Sequence, residues 1–450
     1  MRSYTFLSLI RKYVNASLIL IAVTVLALIV ANSGWGDTYR AFWEKTVSFS
    51  IGNFNLFSHG QESLTLLEFI NDFLMALFFF TVGLEIKREI LVGELSTRKK
   101  ALLPIIGACG GMALPVLVFF LACPDHPDML RGCAIPMATD IAFSLGVLST
   151  FGRRVPIGLK VFLATLAIAD DLGGILVIAI FYSTELHLQY LLYAAGLILV
   201  LCYGNYKGVK AKTFYLLVGV FVWYLFLNSG IHSTIAGVIV AFLIPARPRA
   251  TTLHFVRHLR NKINRFPLHQ AATNRRGTAI LSNEQIMLLK NIEHTSDRTI
   301  SPLQSLEDAL QNPVNYIVIP IFAFANAGVN LEGISLDSLL NGVGLAVFLG
   351  LAVGKFAGVF TFSWLAVRLG FVQLPQGCNW KMFFSASMLT GIGFTVSMFI
   401  ADLSYYHVST TGSTLLNDAK LGILCGSVVA GLLGWTLLSL TLPQYKKPAS

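Results

Sequence analysis

Asp170 and Asp171 stand side by side in "LATLAIADDLGGILVIAIF" and are the only charged residues between Val161 and Phe181. Two other charges are just as isolated: Asp140 is the only one between Gly132 and Thr150, and Lys355 the only one between Gly342 and Val367. An aspartate at the centre of a membrane helix is unfavourable by about 2.5 to 3.5 kcal/mol on insertion scales, so such residues persist where they pair or bind. Burial and mutual repulsion raise a carboxylate's proton affinity, whereas a nearby ammonium lowers it. A hard cation such as sodium or lithium takes oxygen ligands, and the carboxylates, the Thr139 hydroxyl and carbonyls freed by a broken helix supply them. Proton and cation then compete for the same oxygens, the minimal chemistry of an antiporter. Adjacent helical residues point about 100° apart. One aspartate of the pair can therefore approach Lys355 while the other faces a water-filled funnel.

The elements that must hold these groups follow from composition. The chain has 450 residues, 55% hydrophobic and 12% charged, against about 25% charged in soluble domains. It reads as an all-α integral membrane protein, because the apolar runs approach the length of a crossing helix and lack the alternation of a barrel strand. Twelve transmembrane helices are expected, centred near Ala22, Met75, Met112, Ile141, Asp171, Gly196, Gly219, Gly237, Ile321, Gly354, Gly393 and Ala430. Those near Gly219 and Gly237 are short and separated only by "NSGIHS". Asn15 to Ala31 follows Arg11 and Lys12 as a signal peptide would, but it is longer than a signal core and lacks an obvious cleavage site, so it is read as a span.

Residues 1–450 form a single transporter domain, with 247–301 a polar, basic cytoplasmic loop between spans 8 and 9. Basic residues such as Arg11, Lys87, Arg153, Lys207 and Arg247 fall in alternate loops, whereas the opposite side holds only Arg40, Lys45, Arg131 and Lys420. Both termini are therefore expected in the cytoplasm. The net charge of +10 is mostly topology and calls for no nucleic acid; the 247–301 loop is a solvated linker or one drawn to anionic lipid headgroups. The six cysteines show no metal-ligand spacing, and Cys123 and Cys133 alone lie close enough to the outer surface to pair.

Three further features bear on function. Spans 3–5 and 10–12 each have a middle member interrupted by small or polar residues, "AIPMATDIAFSLG" and "LTGIGFTVS" with Gly391 and Gly393, and three spans displaced by seven form an inverted-topology repeat. In "TVSFSIGNFNLFSHG" the alternation about Gly52-Asn53 predicts an outer β-hairpin over 46–57, whose edge offers a route to a dimer. Glu85, Arg88 and Glu89 share one helical face at the inner end of span 2, as an interfacial anchor or a charged gate. Ser301 and Pro302 read as a helix start that places Glu307 at the cytoplasmic mouth. Asp72 lies deep in an apolar stretch, and His232 titrates in a physiological range.

At these residues the chain resembles the NhaA family of bacterial sodium/proton antiporters, through "FFFTVGLEIKRE", "AIPMATDIAFSLG", "LAIADDLGG", "SGIHSTIAGV", "FAFANAGV", "LAVGKFAG" and "LTGIGFTVSMFI" in order. The resemblance implies a twelve-helix fold whose spans 4 and 11 unwind and cross near the midplane. It implies Asp171 as principal carrier of sodium and proton, joined by Asp170, which otherwise exchanges a salt bridge with Lys355. Thr139 would line the site and Asp140 balance helix dipole ends. Glu85, Arg88, Glu89, Glu307 and His232 would serve pH response. The hairpin would support a homodimer in the bacterial inner membrane, and transport would be electrogenic. No cofactor is expected beyond the transported ions, and the alternative function is an uncoupled cation channel. An intramembrane aspartyl protease is excluded, since its aspartates sit on facing helices and here they are adjacent, so no enzyme is expected. Phe356 stands where the best-known members carry proline, Asp308 and Gln311 stand where they carry histidines, and the loop before Ser301 is longer than expected.

Overall fold

The computed structural model describes residues 16–48, 62–123, 127–182, 186–247, 282–330, 342–405 and 412–443, with short fragments inside 50–59 and 256–280. The bundle is built from α1 (Ala16–Ala31), α2 (Leu66–Leu91), α3 (Arg98–Ala122), α4 (Ile141–Ser149), α5 (Ile157–Phe181), α6 (Leu188–Tyr206), α7 (Lys212–Leu227) and α8 (Thr234–Leu243). It continues with α9 (Pro302–Pro313), α10 (Ile319–Asn326), α11 (Gly342–Leu349), α12 (Phe356–Arg368), α13 (Trp380–Leu389), α14 (Phe394–Tyr405) and α15 (Gly412–Thr441).

Local chemistry sets the helix ends. Thr65 and Glu68 form a capping box at the start of α2, each side chain accepting from the other's backbone amide at 3.2 and 2.7 Å. Ser301 caps α9 by accepting from the Gln304 amide at 3.2 Å, with Pro302 in the first turn, as the sequence predicts. Asn379 caps α13 in the same way, accepting from the Met382 amide at 2.8 Å.

Among the described residues seven helical segments are long and apolar enough to cross a membrane, or nine if each of two bent pairs is one crossing. The expected count of twelve is larger because α7 and α8 are apolar but shorter. In addition, the stretch from α9 to α10 is divided by a π turn over Val314–Val318, next to Pro313. A second π turn, Gly350–Lys355, joins α11 to α12.

Among the described residues, backbone pairing in the loop before α2 comprises two-residue antiparallel ladders, Ser50–Ile51 with Phe54–Asn55 and Ser58–His59 with Glu62–Ser63, and an isolated antiparallel bridge between Thr46 and Thr65. The ladders are shorter than the hairpin expected over 46–57, and its Gly52-Asn53 turn lies outside the described residues. Within the 247–301 loop, residues 248–281 lie largely outside them, apart from short fragments, whereas Asn283–Thr299 form a helix. All six cysteines are free, so Cys123 and Cys133 are not joined.

Close helix packing uses small residues. Gly110 on α3 faces Gly358 on α12 so closely that a Cβ on either would meet the other's carbonyl oxygen. Gly237 brings α8 against the Ala76 carbonyl of α2 in the same manner. Two groups of helices result, joined by contacts of α2 with α5 and of α10 with α14. The first joins α3, α5 and α11–α15, while in the second α2 packs on α8, α9 and α10.

Candidate ion-binding site

Two breaks in the helices meet at the centre of the bundle. The first follows a 3-10 segment, Arg131–Met137, and leaves Ala138, Thr139 and Asp140 without helical structure before α4 begins. The second separates α13 from α14 at residues 390–393, where the axes bend by 43°. Gly391 and Gly393 fall in it, as their placement in "LTGIGFTVS" predicts, and a Cβ on Gly391 would meet the Leu351 carbonyl.

The breaks are tied to each other. The Asp140 amide donates to the Ile392 carbonyl at 2.7 Å, and the Thr139 hydroxyl lies 3.1 Å from the Thr390 carbonyl. Asp140 Oδ1 accepts the Phe143 amide at 3.0 Å and so caps α4. Its Oδ2 accepts the Thr395 amide at 3.1 Å and the Thr395 hydroxyl at 2.7 Å. One carboxylate therefore serves the N-termini of two half-helices, α4 and α14, where aligned peptide dipoles place partial positive charge.

Asp170 and Asp171 lie in the uninterrupted helix α5, and their environments differ sharply. Asp170 Oδ2 is 2.8 Å from Lys355 Nζ and accepts the Thr139 hydroxyl at 2.8 Å. Lys355 ends the π turn, is fully buried, and also donates to the Met137 carbonyl. Asp171 is 3% exposed, yet neither of its carboxylate oxygens has a hydrogen-bond partner, and Asp170 Oδ1 likewise has none. Asp171 instead borders a cavity of about 360 Å³ together with Thr139, Asp140, Thr81, Glu85 and Gln311. The roughly 100° between successive helical side chains thus separates a sealed carboxylate from a cavity-facing one.

The cavity extends towards the end of the bundle where α2 terminates, here termed the Arg88 end. Glu85 lines it, but its helical neighbour Arg88 turns elsewhere: Arg88 Nη1 pairs with Glu307 at 2.6 Å and Nη2 with Glu89 at 2.9 Å. Glu89 also accepts the Glu94 amide at 2.9 Å, tying the chain beyond α2 to its last turn. The shared face inferred from spacing is thus divided between a cavity wall and a largely buried ion pair. Lys87, which the sequence marks only as one of the basic residues that set topology, donates to the carbonyls of Phe242 at 2.6 Å and Ile244 at 2.5 Å, closing the end of α8.

Asp72 and His232 meet at the opposite end, with Nδ1 3.9 Å from Oδ1, and Ser233 donates to Asp72 at 3.0 Å. They border a smaller cavity of about 120 Å³ that includes neither Asp170 nor Asp171. Phe356 continues the helix into α12 and lays its ring edge-on to Phe384, with centroids 4.8 Å apart. Asp402 and Lys420 form a buried pair that the sequence reading did not single out. The signal was available: Asp402 is an isolated charge in "FIADLSYY", and Lys420 follows a polar helix start but precedes the apolar "LGILCG".

A polytopic helical bundle with two helix breaks joined at its centre, beside a buried lysine and an aspartate that faces a cavity, is the architecture of a secondary ion transporter. Residues 8–438 match the family model described as Na+/H+ antiporter 1. A Bacteroides fragilis protein named Na(+)/H(+) antiporter NhaA is 52% identical over 96% of both chains. Proteins of the same name from Phocaeicola vulgatus and Yersinia pestis are 50% identical over 99% of this chain and 98% of theirs, and 42% identical over 97% of each. The chain belongs to the Na+/H+ antiporter 1 family.

Proposed function

We propose that this protein extrudes sodium or lithium in exchange for protons, with Asp171 as the shared carrier. The observation that carries the reading is the contrast within the aspartate pair. Asp171 offers two unbonded oxygens to a cavity, whereas Asp170 is engaged by Lys355 and Thr139. Among the described residues no group of three or more His, Cys, Asp or Glu is arranged to hold a metal ion. A cation at Asp171 therefore takes its other oxygens from Thr139, from Asp170, from backbone carbonyls at the breaks and from water. Such a site binds cargo weakly enough to release it, and a proton arriving at Asp171 removes the charge that attracts the cation. No resident cofactor enters this scheme.

In the proposed arrangement twelve spans cross the bacterial inner membrane, with both termini and the Arg88 end in the cytoplasm. Spans 3–5 and 10–12 form inverted repeats, which the matching positions of the two breaks support. Exchange is electrogenic, with more protons than cations per cycle, and Glu85, Arg88, Glu89, Glu307, Asp72 and His232 set its response to pH. A homodimer pairs through the loop over 46–57, and the basic 247–301 loop lies against anionic lipid.

The test is sodium-dependent proton flux in proteoliposomes loaded with a pH dye, measured for the parent and for Asp171→Asn. Flux in the parent and none in the variant is expected. Sodium movement that leaves protons undisturbed would instead identify an uncoupled channel.

A further inference from the structure

Four buried polar side chains lie at the far end from Arg88, away from the ion site. Asp402 on α14 is 3.5 Å from Lys420 on α15. Asn71 on α2 and Asn326 at the end of α10 exchange amide hydrogen bonds, Asn326 Nδ2 to Asn71 Oδ1 at 2.7 Å and Asn71 Nδ2 to Asn326 Oδ1 at 3.2 Å. Asn71 Nδ2 also donates to Asp402 Oδ2, and all four residues are buried.

The pattern of these bonds follows the division of the bundle. Asp402 and Lys420 belong to the first group of helices, with α5 and its aspartates; Asn71 and Asn326 belong to the second, with α2 and α10. Each pair meets within its own group, Asp402 with Lys420 as an ion pair and Asn71 with Asn326 by hydrogen bonds. Within the quartet only the bond from Asn71 to Asp402 crosses between them.

At the Arg88 end the same two groups touch through Val82 and Ile86 on α2 and Ile168 on α5, but leave a cavity beside that contact. The cavity that reaches Asp171 runs between them, with Asp171 and Thr395 on one side and Thr81, Glu85 and Asn315 on the other. At the far end the cavity lined by Asn71, Asp72, His232 and Asp402 stops short of both aspartates. Exchange through one site requires that access alternate between the two ends, by movement of one bundle against another about the site. For Asp171 to reach the far end, the groups must part where the quartet now joins them.

We propose that the hydrogen bond from Asn71 to Asp402 is the latch that holds the far end closed in this state. This inference rests on the antiport reading. The construction makes release inexpensive in charge terms. When the crossing bond opens, Asp402 keeps Lys420 and Asn71 keeps Asn326, so no ion is stranded without a partner, and the adjoining cavity admits water to the freed groups. Asp402 is seven residues from Thr395, two turns along one face of α14. The half-helix that Asp140 caps at the break is therefore the one the latch holds at its outer end, and the two ends move as one body.

The experiment measures the apparent KM for sodium separately from each face of oriented proteoliposomes, in parent and variants. Asn71→Asp sets a carboxylate against Asp402. It is expected to raise KM on the face served by the Arg88-end cavity by roughly tenfold and to lower it on the other face, as a shifted population does. The exchanged pair Asn71→Asp with Asp402→Asn, made with Lys420→Met so that no buried ammonium is left unpaired, restores one amide-to-carboxylate bond across the groups and should bring both values back to within about twofold of the parent. Asn71→Ala, which only deletes the bond, should shift the ratio in the same direction by less, and it serves if the aspartate variant does not fold. An unchanged ratio of the two KM values, whether or not melting falls, overturns the latch, as does an exchanged pair that fails to restore it. Parent vesicles run alongside: no sodium-dependent flux in the parent counts against antiport itself, whereas parent flux with an unmoved ratio in the variants counts against the latch.

Discussion

Lys355 Nζ and Asp170 Oδ2 meet at 2.8 Å with no part of either side chain exposed. Removing one member of such a pair leaves an uncompensated charge in a medium that cannot solvate it, typically worth 3–5 kcal/mol. Lys355→Met is therefore expected to destabilise the protein by about 3–5 kcal/mol. The double variant Asp170→Asn with Lys355→Met should recover most of that loss. Thermal unfolding in detergent of the parent, both single variants and the double variant checks this; additive losses would mean that the pair does not act as a unit.

Asp171 should behave in the opposite way. Its carboxylate forms no hydrogen bond that a substitution could break. Asp171→Asn is expected to melt within about 0.5 kcal/mol of the parent, or above it, while losing transport. Separating a stable fold from a lost activity distinguishes a carrier from a structural ion, and melting curves recorded on the samples used for flux make the comparison.

Asp140 accepts amides from both half-helices. Losing a single N-cap typically amounts to about 1 kcal/mol, so Asp140→Ala is expected to lose about 2 kcal/mol by removing two at once. Thr395→Val, which removes only the hydroxyl and leaves the amide bonded, should lose less. Chemical or thermal unfolding ranks the two, and equal losses would place Asp140's contribution at one helix only.

The Arg88 cluster bears on pH. Its guanidinium lies 2.6 Å from Glu307 and 2.9 Å from Glu89. A neighbouring positive charge favours the ionised form of a carboxylate. Burial raises the proton affinity of Glu307 and Arg88 opposes it; without that charge Glu307 holds its proton to higher pH, so Arg88→Gln should move the pH midpoint of activity upward. Flux recorded across the pH range checks the direction; a midpoint that moves down or stays in place would remove the cluster from pH control.

Sequence reasoning reached the centre of the site because its signals are local. A lone aspartate in an apolar run, "ATD" before a helix start and "TGIG" inside a span can be read without knowing what lies opposite. Partners across the bundle were harder. The i, i+3, i+4 spacing of Glu85, Arg88 and Glu89 fixes a shared face but not the arrival of Glu307 from α9, which turns Arg88 away from the cavity. Lys420 reads as one of the few basic residues of the outer side, yet the carboxylate of Asp402 on a neighbouring helix draws it inside. The span count was limited by the same breaks that make the site, since interruption shortens the helices by which crossings are recognised.

The π turn over Gly350–Lys355 carries a consequence for how this stretch can vary between related chains. A π turn holds one residue more than the α-helix it interrupts. Deleting any one of Gly350 to Val353 would let the segment close into regular α-helix with Lys355 still facing nearly the same way, because the wider turn spends its extra residue without adding rotation. Straightening the turn at unchanged length would instead swing the lysine by about 100° around the axis, away from Asp170. A related chain can therefore lose one residue here and keep the pair, but it cannot lose the wide turn and keep its length.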